Sequence, residues 1–198
     1  MFEKTRATFF PVELVPGVVA KSVGSAEIDR VWTELAGKIF SPLASLGNFE
    51  TPPSRLKSAE ALKGVWRETH HECIVFYDDT RPIGWSSGAL LEPATFFMAY
   101  SGVLSEYRRQ GVYSAFLEVF LRYLGALGYE RVTSNHMLNN RVVLIAKLKA
   151  GFVVSGMVLD ERYGAQVALT YFCHTDRAEG FTRAFGLEPG RPPASAKP

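Results

Sequence analysis

Tyr107-Arg108-Arg109-Gln110-Gly111-Val112-Tyr113-Ser114 is the stretch on which the fold turns. It follows an apolar, strand-like run from Phe96 to Leu104 and leads straight into a helical pattern. The first N–H groups of a helix have no partner inside it and carry the positive end of its dipole. A basic, glycine-containing turn that opens into a helix is therefore suited to hold a phosphate. Gly111 lets the main chain approach a bulky diphosphate without a Cβ in the way. Arg108 and Arg109 add charge and donors. Taken alone, the octapeptide reads equally as a loop with two solvated arginines.

The flanking sequence gives this turn its context. Val112, Ala115, Phe116, Val119, Phe120, Tyr123, Leu124 and Leu127 form a helical stripe with a wide apolar face. Gly128 supplies a stop, and Tyr129 to His136 reads as a strand. Strand, turn, helix and strand make a βαβ crossover, whose second strand is expected parallel to the first. Upstream, Cys73 to Tyr77, Ile83 to Leu91 and Ala94 to Leu104 form an antiparallel meander joined by short turns. Downstream, Asn139 to Ala150 reads as a helix burying Val142, Val143, Ile145, Ala146 and Leu148, ended by Gly151. Phe152 to Leu159 and Gln166 to Phe172 form a hairpin, and Arg177 to Phe185 a short helix.

The N-terminal part is less patterned. One irregular strand is expected over residues 6–20, broken by Pro11 and Pro16. Ile28 to Phe40 spaces as a helix that Ser25 can cap and Pro42 ends. Leu46 to Arg55 is loop-like, and a second helix over Ser58 to Arg67 is expected to bury Leu62, Val65 and Trp66. The expectation is a single domain over residues 1–189, with a variable part at 1–70, a core at 71–172 and a disordered tail at 190–198.

Composition narrows the function classes. With 47% hydrophobic and 13% aromatic residues, the 198-residue chain can bury a large core. Its 22 basic and 20 acidic residues give a net charge of +2, which offers no case for nucleic-acid binding. Cys73 and Cys173 match no metal spacing and suit reduced thiols in a cytoplasmic setting. No signal peptide or membrane-spanning run is read, so no membrane partner is expected. His70-His71-Glu72-Cys73 suggests a metal cluster, but neighbouring side chains on a strand point to opposite faces, and the segment reads as structural.

From about Cys73 to Phe172 the chain resembles the GCN5-related N-acetyltransferase (GNAT) superfamily. That family's phosphate motif, Gln/Arg-x-x-Gly-x-Gly/Ala, stands here as Arg108-Arg109-Gln110-Gly111-Val112-Tyr113, with Tyr113 where a small residue is usual. A second motif is an Asn, then seven residues on a Tyr, then a Lys two residues before Gly-Phe. Here it appears as Asn140, Lys147, Lys149, Gly151 and Phe152, with Lys147 at the position of the tyrosine that commonly protonates the leaving thiolate. The resemblance implies an α/β (α+β) fold with a mixed, largely antiparallel sheet of about six to seven strands flanked by helices. It implies an acyl-CoA-dependent N-acyltransferase, most directly an N-acetyltransferase, using acetyl-CoA as co-substrate and no metal. The acceptor would be a small-molecule or peptide amine, and the protein a monomer or homodimer. A non-catalytic acyl-CoA-binding or regulatory domain on the same fold is the alternative, and a hydroxyl acceptor a third reading.

The resemblance also distributes the site. Gln110, Gly111, Val112, Tyr113 and Ser114 would hold the diphosphate with Arg108 and Arg109 beside them. Ser101 and Val103 would bond the pantetheine arm after a bulge near 101–103, and Asn140 would contact that arm. The Val103 N–H would polarise the acyl carbonyl. His136 is the candidate general base, or a structural histidine. Lys147 can serve as acid only if burial lowers its pKa strongly, and reads otherwise as a solvated helix lysine. Tyr100 is a further catalytic candidate. Trp32, Trp66 and Trp85 read either as lining of an acceptor cleft or as core.

Overall fold

A computed structural model describes residues 2–40 and 51–185. The expected tail at 190–198, and the 46–50 part of the expected loop, lie outside them. The elements are α1 (Phe2–Phe9), β1 (Val12–Val15), β2 (Val18–Ser22), α2 (Ser25–Ile39), α3 (Leu56–Arg67), β3 (His71–Asp78), β4 (Arg81–Glu92) and β5 (Thr95–Val103). They continue with α4 (Val112–Ala126), β6 (Arg131–Met137), α5 (Arg141–Lys149), β7 (Val153–Asp160), β8 (Gly164–Phe172) and α6 (Thr175–Phe185). The eight strands form one sheet in the order β1-β2-β3-β4-β5-β6-β8-β7. Every pairing is antiparallel except β5 with β6, the pair that the crossover through α4 joins.

The apolar stripe of α4 explains why the crossover lies flat on the sheet. Val112, Phe116, Phe120, Tyr123 and Leu124 are buried, with Phe116 against Phe76 of β3 and Phe120 against Phe96 of β5. On the opposite face, α2 buries Val31, Leu35 and Ile39. Gly102 of β5 makes room for that helix, because a Cβ there would collide with the Ile39 side chain. The sheet is thus covered on both faces at β3 and β4, next to the site.

Four expectations are corrected. Residues 6–20 form not one strand but the end of α1 followed by the β1–β2 hairpin. Phe2–Phe9 is helical because Arg6 reaches across to Glu72 of β3 and Phe9 packs on Tyr123 of α4, contacts that lie far away in sequence. Ser25 is the first residue of α2 rather than its cap, and Gly24 precedes it with no side-chain capping bond. The stripe on α3 is helical as expected, but only Trp66 meets another described element, edge-on to His71 of β3, and Leu62, Val65 and Trp66 stay exposed. The fourth concerns α5, where the expected buried face is turned around: Val142, Ile145 and Leu148 are exposed and Lys147 is buried. The His70-His71-Glu72 run is structural as expected. Glu72 points inward to Arg6, His70 and Tyr123, while His71 bonds the Thr69 carbonyl.

Candidate active site

The turn before α4 is held open by its backbone. Gly111 sits at φ +85° and Arg109 at φ +63°, both in the left-handed region. Glycine occupies that region without penalty. A Cβ at Gly111 would meet only Val15 Cγ1 at 3.7 Å, so its torsion rather than its space requires glycine. The first intrahelical bond runs from Ala115 N–H to the Gly111 carbonyl at 2.9 Å. The N–H groups of Val112, Tyr113 and Ser114 therefore have no partner within the helix, and no side chain caps it. The Gln110 side chain donates back to the Glu106 carbonyl at 2.6 Å and fixes the loop.

The two arginines separate. Arg108 does not reach toward the turn. Its Nε donates to the Val103 carbonyl at 2.9 Å, and its Nη2 to the Ile39 carbonyl at 3.1 Å, fastening the end of β5 to the end of α2. Its expected place beside the diphosphate is corrected to a tie between main chains. Arg109 is exposed and makes no side-chain hydrogen bond or ion pair among the described residues, so it is the cation left to the turn.

β5 supplies an unpaired edge next to this turn. It pairs with β6 only from Thr95 to Phe97, with Phe97 opposite Thr133 the last pair, after which the strands part. The bulge falls at Ala99, between the Ser87–Tyr100 and Gly88–Met98 pairs, two residues before the expected 101–103. The Leu104 N–H bonds back to the Ile83 carbonyl on β4 at 2.8 Å. By the alternation of an antiparallel ladder, Val103 and Ser101 then direct their main-chain groups to the opposite, unpaired side. With the Val103 carbonyl taken by Arg108, the Val103 N–H and both main-chain groups of Ser101 are left to receive an extended ligand as an added strand. The Ser101 hydroxyl bonds Ser86 Oγ at 2.9 Å. It is also the polar group nearest the buried Tyr113 hydroxyl, which meets no well-aligned hydrogen-bond partner among the described residues.

Lys147 lies at the point where β5 and β6 separate. Met98 and Ser134 are the first residues beyond the last β5–β6 pair, and the Lys147 ammonium touches both. It donates to Ser134 Oγ at 2.7 Å and lies 3.6 Å from Met98 Sδ and 4.7 Å from the Phe152 ring centroid. The residue is 1% exposed, and no carboxylate pairs with it among the described residues. Desolvation disfavours its charged form and lowers the pKa from 10.5 to about 7. The solvated-lysine reading is overturned, because five apolar residues spread around α5 concealed which face turns inward. Ser134 Oγ also lies 3.0 Å from His136 Nε2. Burial first, and the nearby Lys147 charge second, push His136 down to about 3. An imidazole whose charged form is disfavoured in this way is a weak base near pH 7, which counts against the general-base expectation for His136. Ser134 was not singled out in the sequence. Its signal was the period-two alternation Val132, Ser134, His136, which sets all three on one face of β6.

Tyr100 goes to the other face. Its ring lies 4.8 Å from that of Trp32, and burial raises its hydroxyl pKa, with Tyr163 the next influence. It does not join Lys147 and His136. Trp32 and Trp85 do line this face beside Tyr100, whereas Trp66 stacks edge-on to His71 at 4.3 Å, farther along the same face at the start of β3. Asn140 is the half-buried residue before α5, and its side chain makes no capping bond, so its amide is uncommitted at that helix start.

The sequence over residues 34–152, more than half of the chain, matches the family model described as Acetyltransferase (GNAT) family. Comparison with curated proteins finds no match. Among solved structures, a point mutant of spermidine N-acetyltransferase SpeG from Vibrio cholerae is similar with a TM-score of 0.59 at 14% identity, over 80% of this chain and 95% of that one. The ribosomal-protein-S18-alanine N-acetyltransferase from Escherichia coli gives 0.60 at 10% identity, over 80% and 95%. An N-acetyltransferase from Staphylococcus aureus Mu50 gives 0.57 at 14% identity, over 79% and 99%. These likenesses bear on the fold, and the family match bears on descent: the chain belongs to the acetyltransferase (GNAT) family.

Proposed function

We propose that this acyltransferase moves an acetyl group from acetyl-CoA directly to a primary amine, with Lys147 as the proton donor. The Gln110–Ser114 amides and Arg109 would hold the diphosphate. The Ser101 and Val103 main chain would hold the pantetheine arm, with Asn140 beside it. From Val103 to Met98 the strand runs about 17 Å, which leads an extended arm from the turn to the opening at Lys147. Acetyl-CoA supplies the thioester whose carbonyl is attacked and whose sulfur leaves.

The residues of this chain supply the rest. Of the two free-edge residues Ser101 lies nearer the opening, so its N–H, rather than that of Val103, is placed to polarise the acyl carbonyl. The protonated Lys147 gives its proton to the departing thiolate and is left neutral, and the proton shed by the attacking nitrogen passes to solvent, from which Lys147 is recharged. A pKa near 7 suits that transfer, because an ordinary thiol binds a proton more tightly. Ser134 accepts from the ammonium and donates to His136 Nε2, so it holds Lys147 in place and fixes His136 with its proton on Nδ1. The observation that carries this reading is the enclosed Lys147 ammonium at the apex of the β5–β6 opening, bonded to Ser134.

The test is a calorimetric titration of the purified protein with acetyl-CoA and free CoA, beside an Arg109→Glu/Gly111→Asp double variant, followed by thiol release with an amine panel. Binding lost in the variant together with thiol release supports the proposal. Binding without turnover on any amine would favour a non-catalytic acyl-CoA-binding domain, and absence of binding would sink the cofactor assignment.

A further inference from the structure

Four aromatic rings meet on the face of the sheet opposite α4. Trp32 of α2 lies 5.4 Å from Trp85 of β4 and 4.8 Å from Tyr100 of β5, and Phe40 lies 5.9 Å from Trp32, 5.6 Å from Trp85 and 6.4 Å from Tyr100. Trp85 is completely enclosed at the floor, while Trp32, Phe40 and Tyr100 keep 39%, 37% and 41% of their surface in solvent. Large aromatic residues left open as one contiguous group mark a ligand surface more often than a core. A second observation points the same way. The Trp85 indole N–H is buried and has no hydrogen-bond partner among the described residues, and such a donor gains from a ligand oxygen.

The position of this cluster ties it to the reaction. Tyr100 is the first residue after the Ala99 bulge, and Ser101, next to it, offers its main chain to the opening between β5 and β6. The cluster thus lies on one face of the sheet directly beside the arm-binding edge, at the place where β5 and β6 part. Its electrostatics limit what it can hold. Glu27 accepts from Arg30 and Tyr77, Glu34 pairs with Arg30, and Asp160 is taken by the N–H groups of Arg162 and Tyr163. Asp29, one turn before Trp32, is the carboxylate of this α2 segment that no cation holds among the described residues. The open surface is made of rings, with Asp29 the unpaired α2 carboxylate beside them to meet an ammonium.

We infer that Trp32, Phe40, Trp85 and Tyr100 form the acceptor subsite and that it takes a monoamine carried on an apolar, aromatic-sized body. This rests on the acetyl-transfer reading and narrows its acceptor. The ring of the acceptor fills the cluster, and the amine reaches the acyl carbon through the gap beside Tyr100.

Titration calorimetry of the full chain, with and without free CoA, tests this using tyramine, phenethylamine and spermidine as probes. The two ring amines are expected to bind, and spermidine to bind at least about tenfold more weakly. Trp32→Ala and Tyr100→Ala should each weaken tyramine about tenfold while leaving CoA affinity within about twofold, and Trp32→Phe should restore tyramine binding. The inference is overturned if spermidine binds as well as tyramine, if neither ring amine binds, or if the two alanine variants keep wild-type tyramine affinity. CoA affinity, read in the same cells, fails separately if the acetyl-transfer reading is at fault.

Discussion

The Lys147 ammonium has one hydrogen-bond acceptor, one sulfur and one aromatic face around it, where in water it would have a full hydration shell. That exchange makes its proton labile and has two consequences that can be measured apart. The first is chemical. Lys147→Ala should lower kcat by about 10²–10³, the usual size of a general acid's contribution, with little change in acetyl-CoA affinity. With a weakly basic amine as acceptor, the wild-type kcat should fall as pH rises through about 7, since the protonated lysine is the active form, and the variant should lose that limb. The second is thermodynamic. The unfolded lysine titrates at 10.5 and the folded one at about 7, so between these values the unfolded chain binds the extra proton and stability rises with pH. Below about 7 both forms are charged and the burial penalty is constant. Lys147→Met removes the penalty and with it the slope, which approaches about 1.4 kcal/mol per pH unit inside that window. Guanidinium unfolding of both proteins at pH 6, 7, 8 and 9 reads the difference. A stability gap between them that does not change with pH would mean that the ammonium is not desolvated.

At the scale of elements, the crossover was legible because its period changes from two to 3.6 and back to two, with a glycine at each helix boundary. α4 accordingly runs Val112–Ala126 and β6 pairs in parallel with β5. α5 was legible as a helix but not in its orientation. Apolar residues at 142, 143, 145, 146 and 148 surround it, and the decisive burial is that of a lysine whose partners lie on β5 and β6. α1 was misread for a similar reason, since its anchor is an ion pair to a residue 66 positions away. The bulge at Ala99 depends on register between strands, which no local pattern encodes. Within the site the turn could be read residue by residue, whereas the diversion of Arg108 to two carbonyls could not. The turn itself makes a prediction at this scale. Gly111→Ala has room for its methyl group, so its cost is torsional, about 1–2 kcal/mol for an alanine in the left-handed region. The melting temperature should fall by about 2–8 °C. Acetyl-CoA affinity, measured well below that transition, should weaken because the amides of Gln110 to Ser114 no longer converge. A variant that melts like wild type would show that the positive φ is not needed.

Across the whole molecule, one buried carboxylate fastens the N-terminal segment to the sheet. Glu72 is 1% exposed. It accepts from Arg6 Nη2 at 3.0 Å and from the Tyr123 hydroxyl at 2.6 Å, and it pairs with His70 Nε2 at 2.9 Å. α1, β3 and α4 thus meet on a single charge, with Phe9 and Phe10 packed on the Tyr123 ring. Burial pushes the Glu72 carboxyl up, but the donors of His70, Arg6 and Tyr123 outweigh it and hold the pKa below its ordinary value. Its stabilising effect is therefore fully present above the unfolded value of 4.5 and is lost as pH falls through the lower folded one. Arg6→Ala leaves that carboxylate buried without the only permanent cation it has among the described residues. The expected loss is about 3 kcal/mol, the lower end for breaking a buried pair, because the Arg6 side chain keeps 31% of its surface in solvent. Acid unfolding should also begin at a higher pH than in the wild type, since one of the groups that lowers the Glu72 pKa is gone. The network lies on the β3 side of α4, whereas Lys147 and Ser134 lie at the β5–β6 opening, so kcat measured well below the melting transition should be unchanged. Hydrogen exchange of residues 2–9 should rise in the variant while that of 112–126 does not. Equal loss of protection in both segments would mean that α1 and the crossover unfold as one cooperative unit.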